Sequence, residues 1–284
     1  MKKAIALTLL LAILPLPLLI PGAVRLVGGA ATYRRLVLWG LPVAAALIAA
    51  AFSVGRRRGL LFAGTPALPR MVPWCVLALV VDYSFLGAGH LLGWITYTYG
   101  DQQLSGHPFR AMTWGLPLCL AIGLFGWEWS LRRTLLVSWA GHVPRPAALA
   151  ISCVAGLALS APSIVPGLSV PDPAFVAASF LVVACREVSF GLVFLSGAGL
   201  PAAGLYRGLL IYIDAFLIAD WYGLWFPLAN FTTSEPKFYV LRGATSVLAT
   251  GVVAAALRWN ARRQATAAAL PAGSLSAPPR SAPS

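Results

Sequence analysis

Glu128 and Arg132 stand four residues apart at the end of a long apolar run, in Trp127-Glu128-Trp129-Ser130-Leu131-Arg132-Arg133. On a helix that spacing puts a carboxylate and a guanidinium on one face, whereas Arg133, five residues on, points about 140° away from Glu128. A carboxylate in a low-dielectric setting needs such a partner, and two uses follow. A structural ion pair lets an apolar helix carry charge where it reaches the membrane boundary. A carboxylate held ionised in an intramembrane cavity orients water or binds a polar ligand.

Further ionisable residues lie inside apolar stretches: Asp82, Arg186, Glu187, Arg207 and Asp214. Arg186 and Glu187 are adjacent, so their side chains diverge by about 100° on a helix and do not simply neutralise each other. Each therefore looks to a different partner, with Asp82 and Asp214 the candidates for Arg186. These residues read either as interhelix pairs or, with Glu128, as the lining of one polar cavity. Intramembrane charge is a default sign of function because its cost must be offset. Of the three histidines, His90 and His107 belong to the side opposite Glu128, and His142 follows it in a proline-bounded loop. Cys75, Cys119, Cys153 and Cys185 sit in apolar stretches with no C-x-x-C or Cys/His spacing, which reads as small buried hydrophobes. No phosphate-binding loop, dinucleotide fingerprint or Ser/His/Asp set is present, and neither a cofactor nor a metal is expected.

The elements that must position these residues are membrane spans. Of 284 residues, 59% are hydrophobic and only 10% charged, and the mean hydropathy is +0.81. Soluble domains carry about 25% charged residues, so lipid is the expected solvent. The net charge of +13 does not point to nucleic acid, because the basic residues stand singly or in short clusters at the ends of apolar runs.

The pattern predicts an all-α polytopic bundle of about eight spans, over residues 4–24, 36–54, 72–97, 111–131, 147–164, 174–197, 201–220 and 238–259. The first run is longer than the apolar core of a typical signal peptide and is read as an uncleaved span. Residues 1–58 form an N-terminal two-span hairpin, 59–259 the core, and 260–284 a disordered Ala/Pro/Ser-rich tail. The aromatic segment 221–237 suits an interfacial loop or short helix. Gly204-x-x-x-Gly208 reads as a small-residue packing motif. With the N-terminus inside, Lys2, Lys3, Arg56, Arg57, Arg58, Arg70, Arg132, Arg133, Arg145, Arg258, Arg262, Arg263 and Arg280 are cytoplasmic. Arg25, Arg34, Arg35, Arg110, Lys237 and Arg242 are then opposite. That imbalance places both termini in the cytoplasm.

Residues 128–133 resemble the first signature of the CPBP superfamily of glutamic intramembrane proteases, which includes CAAX prenyl endopeptidases and bacteriocin-processing proteins. The signature is E-E-x-x-x-R. Glu128 matches its first Glu and Arg133 its Arg, with Trp129 in place of the second Glu. In the other register Glu128 is the second Glu, Arg132 is the Arg and Trp127 stands first. The resemblance covers roughly residues 111–220. It implies a CPBP-like core in which Glu128 activates water, Arg132 or Arg133 keeps it ionised, and the substrate is a membrane-tethered peptide or lipidated protein. The family's second and third motifs carry histidines, but residues 150–162 contain neither His nor Phe, and residues 210–215 neither His nor Asn. A Glu alone does not divide the labour of water activation and oxyanion stabilisation. The resemblance thus also implies a homologue that binds such a substrate without cutting it. A transporter component and a structural subunit of a membrane complex are the readings from other classes.

Overall fold

A computed structural model describes residues 1–53, 68–98, 107–165, 173–214, 218–219, 229–233 and 236–269. The expected boundary near residue 58, the Arg56, Arg57 and Arg58 cluster, Asp220, Glu235 and the tail beyond residue 269 lie outside the described residues.

Among the described residues the fold is all-α apart from one small sheet. Among the described residues, six helical stretches are long and apolar enough to cross a membrane: Lys2–Leu19, Leu36–Ser53, Pro69–Leu91, Arg145–Ile164, Pro173–Tyr212 and Pro236–Arg263. Their outward faces are apolar, with Leu47, Val80, Val154 and Val240 all exposed. The protein is therefore integral to a lipid bilayer and crosses it several times.

The N-terminal stretch is α1 (Lys2–Ile13), followed after Pro15 by the short α2 (Leu16–Leu19), which takes Pro17 in its first turn. Two further short helices, α3 (Ala23–Leu26) and α4 (Ala30–Arg35), lead to α5 (Leu41–Ser53). Leu7, Leu11 and Ala45 are fully buried against Ile122, Trp127, Leu131 and Leu159. The N-terminal hairpin thus shares a core with the rest of the bundle. Trp139 reinforces this by donating its indole N–H to Thr8 Oγ1 at 2.9 Å.

After α6 (Leu68–Leu91) comes strand β1 (Ile95–Thr98). It pairs antiparallel with β3 (Ala229–Thr233), which also pairs in parallel with β2 (Ile218–Ala219). Within the aromatic segment, residues 229–233 are accordingly a strand rather than a helix. The β-branched residues of Ile-Thr-Tyr-Thr on β1 favour this pairing.

A long helical run then crosses the bundle as α7 (His107–Ala121), a wide π-type segment (Ile122–Leu136) and α8 (Val137–Ala140). The Val137 N–H reaches back to the Arg132 carbonyl, one residue further than an α-helix allows. Wide turns of this kind are uncommon and concentrate at functional sites.

α9 (Arg145–Ile164) starts with Pro146 in its first turn, where no backbone donor is lost. α10 (Pro173–Val193) and α11 (Gly199–Tyr212) form an antiparallel hairpin. Gly197 (φ 83°) and Gly199 (φ 68°) make the reversal in a backbone region that side chains disfavour. Pairing across the hairpin joins Glu187 to Arg207, Arg186 to Asp214 and Phe190 to Tyr206. Gly204 and Gly208 press α11 onto the wide segment, where a Cβ on Gly123 would lie 2.6 Å from the Gly208 nitrogen. The close approach that small residues permit is used here in full. The last helix, α12 (Pro236–Ala269), packs against α6 and α10. It continues past Trp259 into the stretch expected to be a tail, because Ala, Arg and Gln between residues 260 and 269 are good helix formers.

Candidate functional site

Four charged side chains from three elements close into a ring at the centre of the bundle. Arg207 Nε on α11 donates to Glu128 Oε1 at 2.5 Å, and a second nitrogen of Arg207 donates to Glu187 Oε1 at 2.6 Å. Glu187 Oε2 on α10 accepts from Arg132 at 2.5 Å. The ring closes between Arg132 Nε and Glu128 Oε2, which are 3.4 Å apart and otherwise without a hydrogen bond. Two carboxylates and two guanidinium groups alternate, so the ring is neutral. Glu128 and Arg132 are both 0% exposed. Charges buried this deeply persist only when paired and hydrogen-bonded on most of their polar atoms.

The surroundings complete that satisfaction. Arg132 donates to Ser152 Oγ at 2.6 Å and to the Glu187 carbonyl at 2.7 Å, and Ser152 in turn donates to the Leu131 carbonyl. Arg207 lies between two rings, 4.1 Å from the centroid of Phe190 and 5.1 Å from that of Trp127. Both ring faces attract the guanidinium cation. Gly156 on α9 leaves the space that the Glu187 carboxylate fills, and a methyl there would overlap it. Gly156→Ala is accordingly expected to cost about 1–3 kcal/mol, the range for overpacking a filled interior, read as a lowered thermal midpoint in detergent.

Of the two arginines that the sequence offers to Glu128, Arg132 is in the ring and Arg133 is half-buried outside it; the second partner of Glu128 is Arg207, from a helix 79 positions later in the chain. Arg132 rather than Arg133 shares the face of Glu128, as the four-residue spacing requires.

Asp82, Arg186 and Asp214 form a second cluster beside the first. Arg186 Nε donates to Asp82 Oδ2 at 2.8 Å, and another of its nitrogens donates to Asp214 Oδ2 at 2.7 Å. Tyr83 donates its hydroxyl to Asp214 Oδ1, and Ser246 on α12 donates to Asp82 Oδ1. The divergence of Arg186 and Glu187 on α10 thus splits them between two clusters. A cavity of about 140 Å³ lies between, lined by Arg186, Glu187, Arg207 and Asp214 with Ser160, Ser163, Trp127 and apolar side chains. Of the six residues expected at a polar cavity, these four line it; Asp82 and Glu128 stand behind them as their partners.

Sequence reasoning missed Ser152, Gly156, Tyr83, Phe190 and Ser246. For the hydroxyl residues and Gly156 the only available signal was their place within an apolar span, which does not say which neighbour they face, and Phe190 gave no signal beyond that of any apolar residue.

Among the described residues no histidine hydrogen-bonds to Glu128, whose polar partners are arginines. His142 instead pairs through Nε2 with the Met1 amine at 2.7 Å, at an exposed position. Among the described residues no group of His, Cys, Asp and Glu could hold a metal ion. As arranged, the ring locks helices together and shapes one wall of the cavity. It does not present the Glu128 carboxylate to water. Compared with protein-family models, curated proteins and solved structures, the chain matches none.

Proposed function

We propose that the protein is a divergent CPBP-like membrane protein that binds a membrane-tethered peptide or lipidated protein in its central cavity without hydrolysing it. The observation that carries this reading is the state of Glu128, fully buried with both oxygens directed at arginines. A general base must reach the water it activates, and a hydrolytic site must also stabilise the oxyanion. The cavity beside the ring combines apolar walls with a few convergent polar groups, as ligand sites do.

Eight spans follow if the hairpin Pro173–Tyr212 is counted as two and the charged run His107–Ala140 is added to the other apolar stretches. The Lys/Arg asymmetry then puts both termini in the cytoplasm.

The test is a lipidated peptide reporter carrying a photo-crosslinker, presented to the protein in proteoliposomes. Crosslinking to cavity residues with no cleavage by the wild-type chain is expected. Cleavage that disappears in Glu128→Gln would restore the protease reading, and absence of any crosslink would remove the binding one.

A permease component is the second reading. Asp214 favours it, being charged, 32% exposed at its side chain and at the cavity wall. Uptake of a small solute into proteoliposomes, lost in Asp214→Asn, would decide for that reading.

A further inference from the structure

We propose that the surface where the start of α6 meets the end of α12, carrying Arg70, Trp259 and Arg263, is a binding site for the headgroup of an anionic phospholipid. The inference stands apart from the central cavity and does not rest on the ligand proposed for it.

The lipid-facing strips of two neighbouring helices end together here. Along α12 the outward side chains are Val240, Val247 and Leu248, and then Trp259, 52% exposed. Val240 and Trp259 are about 28 Å apart along the helix axis, close to the roughly 30 Å thickness of a bilayer's hydrocarbon core. Trp259 therefore stands at the headgroup level, which indole rings favour. Along α6 the outward strip of Val80, Leu77 and Val76 ends on exposed Arg70. The two helix ends are in contact, since Asn260 Nδ2 donates to the Met71 sulfur at 3.2 Å. Arg70 is the neighbour of Met71 in the chain. Arg263 follows Asn260 by three residues and so lies on the side of α12 turned to α6. Its guanidinium rests on the Trp259 ring, 5.1 Å from the centroid, which holds the cation at the same level.

The positive charge of this surface follows from the whole sequence. No acidic residue precedes Asp82 or follows Glu235, so the first half of α6 and all of α12 contribute none. Asp82, Glu128, Glu187 and Asp214 are paired inside the bundle. Asp101, Asp172, Asp220 and Glu235 each stand within three residues, in sequence, of β1, α10, β2 or the start of α12. Those elements belong to the opposite end of α12. There β1 and β2 flank β3, which precedes Pro236, and Phe175 of α10 packs on Tyr239 with ring centroids 5.5 Å apart. Arg263 is about 40 Å from that end along the helix, several times the roughly 8 Å over which salt leaves exposed charges coupled. A phospholipid with a net negative headgroup matches both features of the surface. Its phosphate accepts from the two guanidinium groups, and its acyl chains cover the apolar strips that run from them along α6 and α12.

The probe is dioleoylphosphatidylglycerol, titrated into the full-length protein in a neutral detergent at fixed pH and ionic strength, with the thermal unfolding midpoint as readout. A saturable rise in midpoint is expected. Dioleoylphosphatidylcholine, which has the same chains without net charge, and inorganic phosphate, which has the charge without the chains, should give no such rise. Replacing both arginines, Arg70→Gln with Arg263→Gln, should weaken half-saturation by about tenfold or more. Lys3→Gln with Arg145→Gln removes two exposed cations elsewhere and should leave the response as it is. Should the first pair fail to fold, Arg70→Gln alone must weaken the response. An equal rise with phosphatidylcholine or with phosphate overturns the proposal. So does a response that survives loss of Arg70 and Arg263, one that falls equally in the control pair, or no response to phosphatidylglycerol.

Discussion

Arg132→Met is expected to destabilise the protein by about 3–5 kcal/mol, the cost of leaving a buried charge unpaired. The variant strands two carboxylates, Glu128 and Glu187, on the single guanidinium of Arg207, and it removes the donor to Ser152 and to the Glu187 carbonyl. Adding Glu128→Gln should recover much of the loss. The Glu187–Arg207 pair is then balanced, and the amide carbonyl introduced in place of the Glu128 carboxylate still accepts from Arg207. Unfolding in mixed micelles measures both variants. If the double variant is as unstable as the single one, charge balance is not what holds the ring together.

Gly123→Ala is expected to have the next largest effect, above the roughly 1–3 kcal/mol of ordinary overpacking. The new methyl would meet backbone: the Gly208 nitrogen at 2.6 Å and the Gly204 carbonyl oxygen at 2.9 Å. No rotamer change relieves such a contact, so α11 must move away from the wide segment. Arg207 lies between those two glycines on α11 and moves with it, which opens the ring. Gly251→Ala is the control, since a methyl there meets nothing within 4 Å. A midpoint for Gly123→Ala equal to that of the control would show that the helices tolerate separation.

The parts of this arrangement governed by local geometry were legible in the sequence. The spacing of Glu128 and Arg132 announced a shared face, and the adjacency of Arg186 and Glu187 announced separate partners. Gly204-x-x-x-Gly208 announced a close helix contact. What local geometry does not encode is the register between helices far apart in the chain. Nothing in Arg207 or Glu187 alone indicates that they meet Glu128 and Arg132, because that meeting depends on the height at which α10 and α11 dock. The family signature left Arg132 and Arg133 both open, and the four-residue spacing that puts Arg132 on the face of Glu128 was the better physical guide. The helical continuation over residues 260–269 was obscured by its composition. Alanine and arginine are as compatible with a polar tail as with a helix continuing outward from a packed one.

The α10–α11 hairpin carries Arg186, Glu187, Arg207 and Asp214 and pairs them internally, Arg186 with Asp214 and Glu187 with Arg207. Its charged residues therefore cancel before any other helix is met. A hairpin of this kind can leave the aqueous phase as a unit, whereas either helix alone would bring two charges into lipid with no partner from the facing helix. Biogenesis then has a natural order. The hairpin enters already neutralised, and Glu128 and Arg132 join it as a second neutral pair, so the central ring is assembled from two units that each carry no net charge.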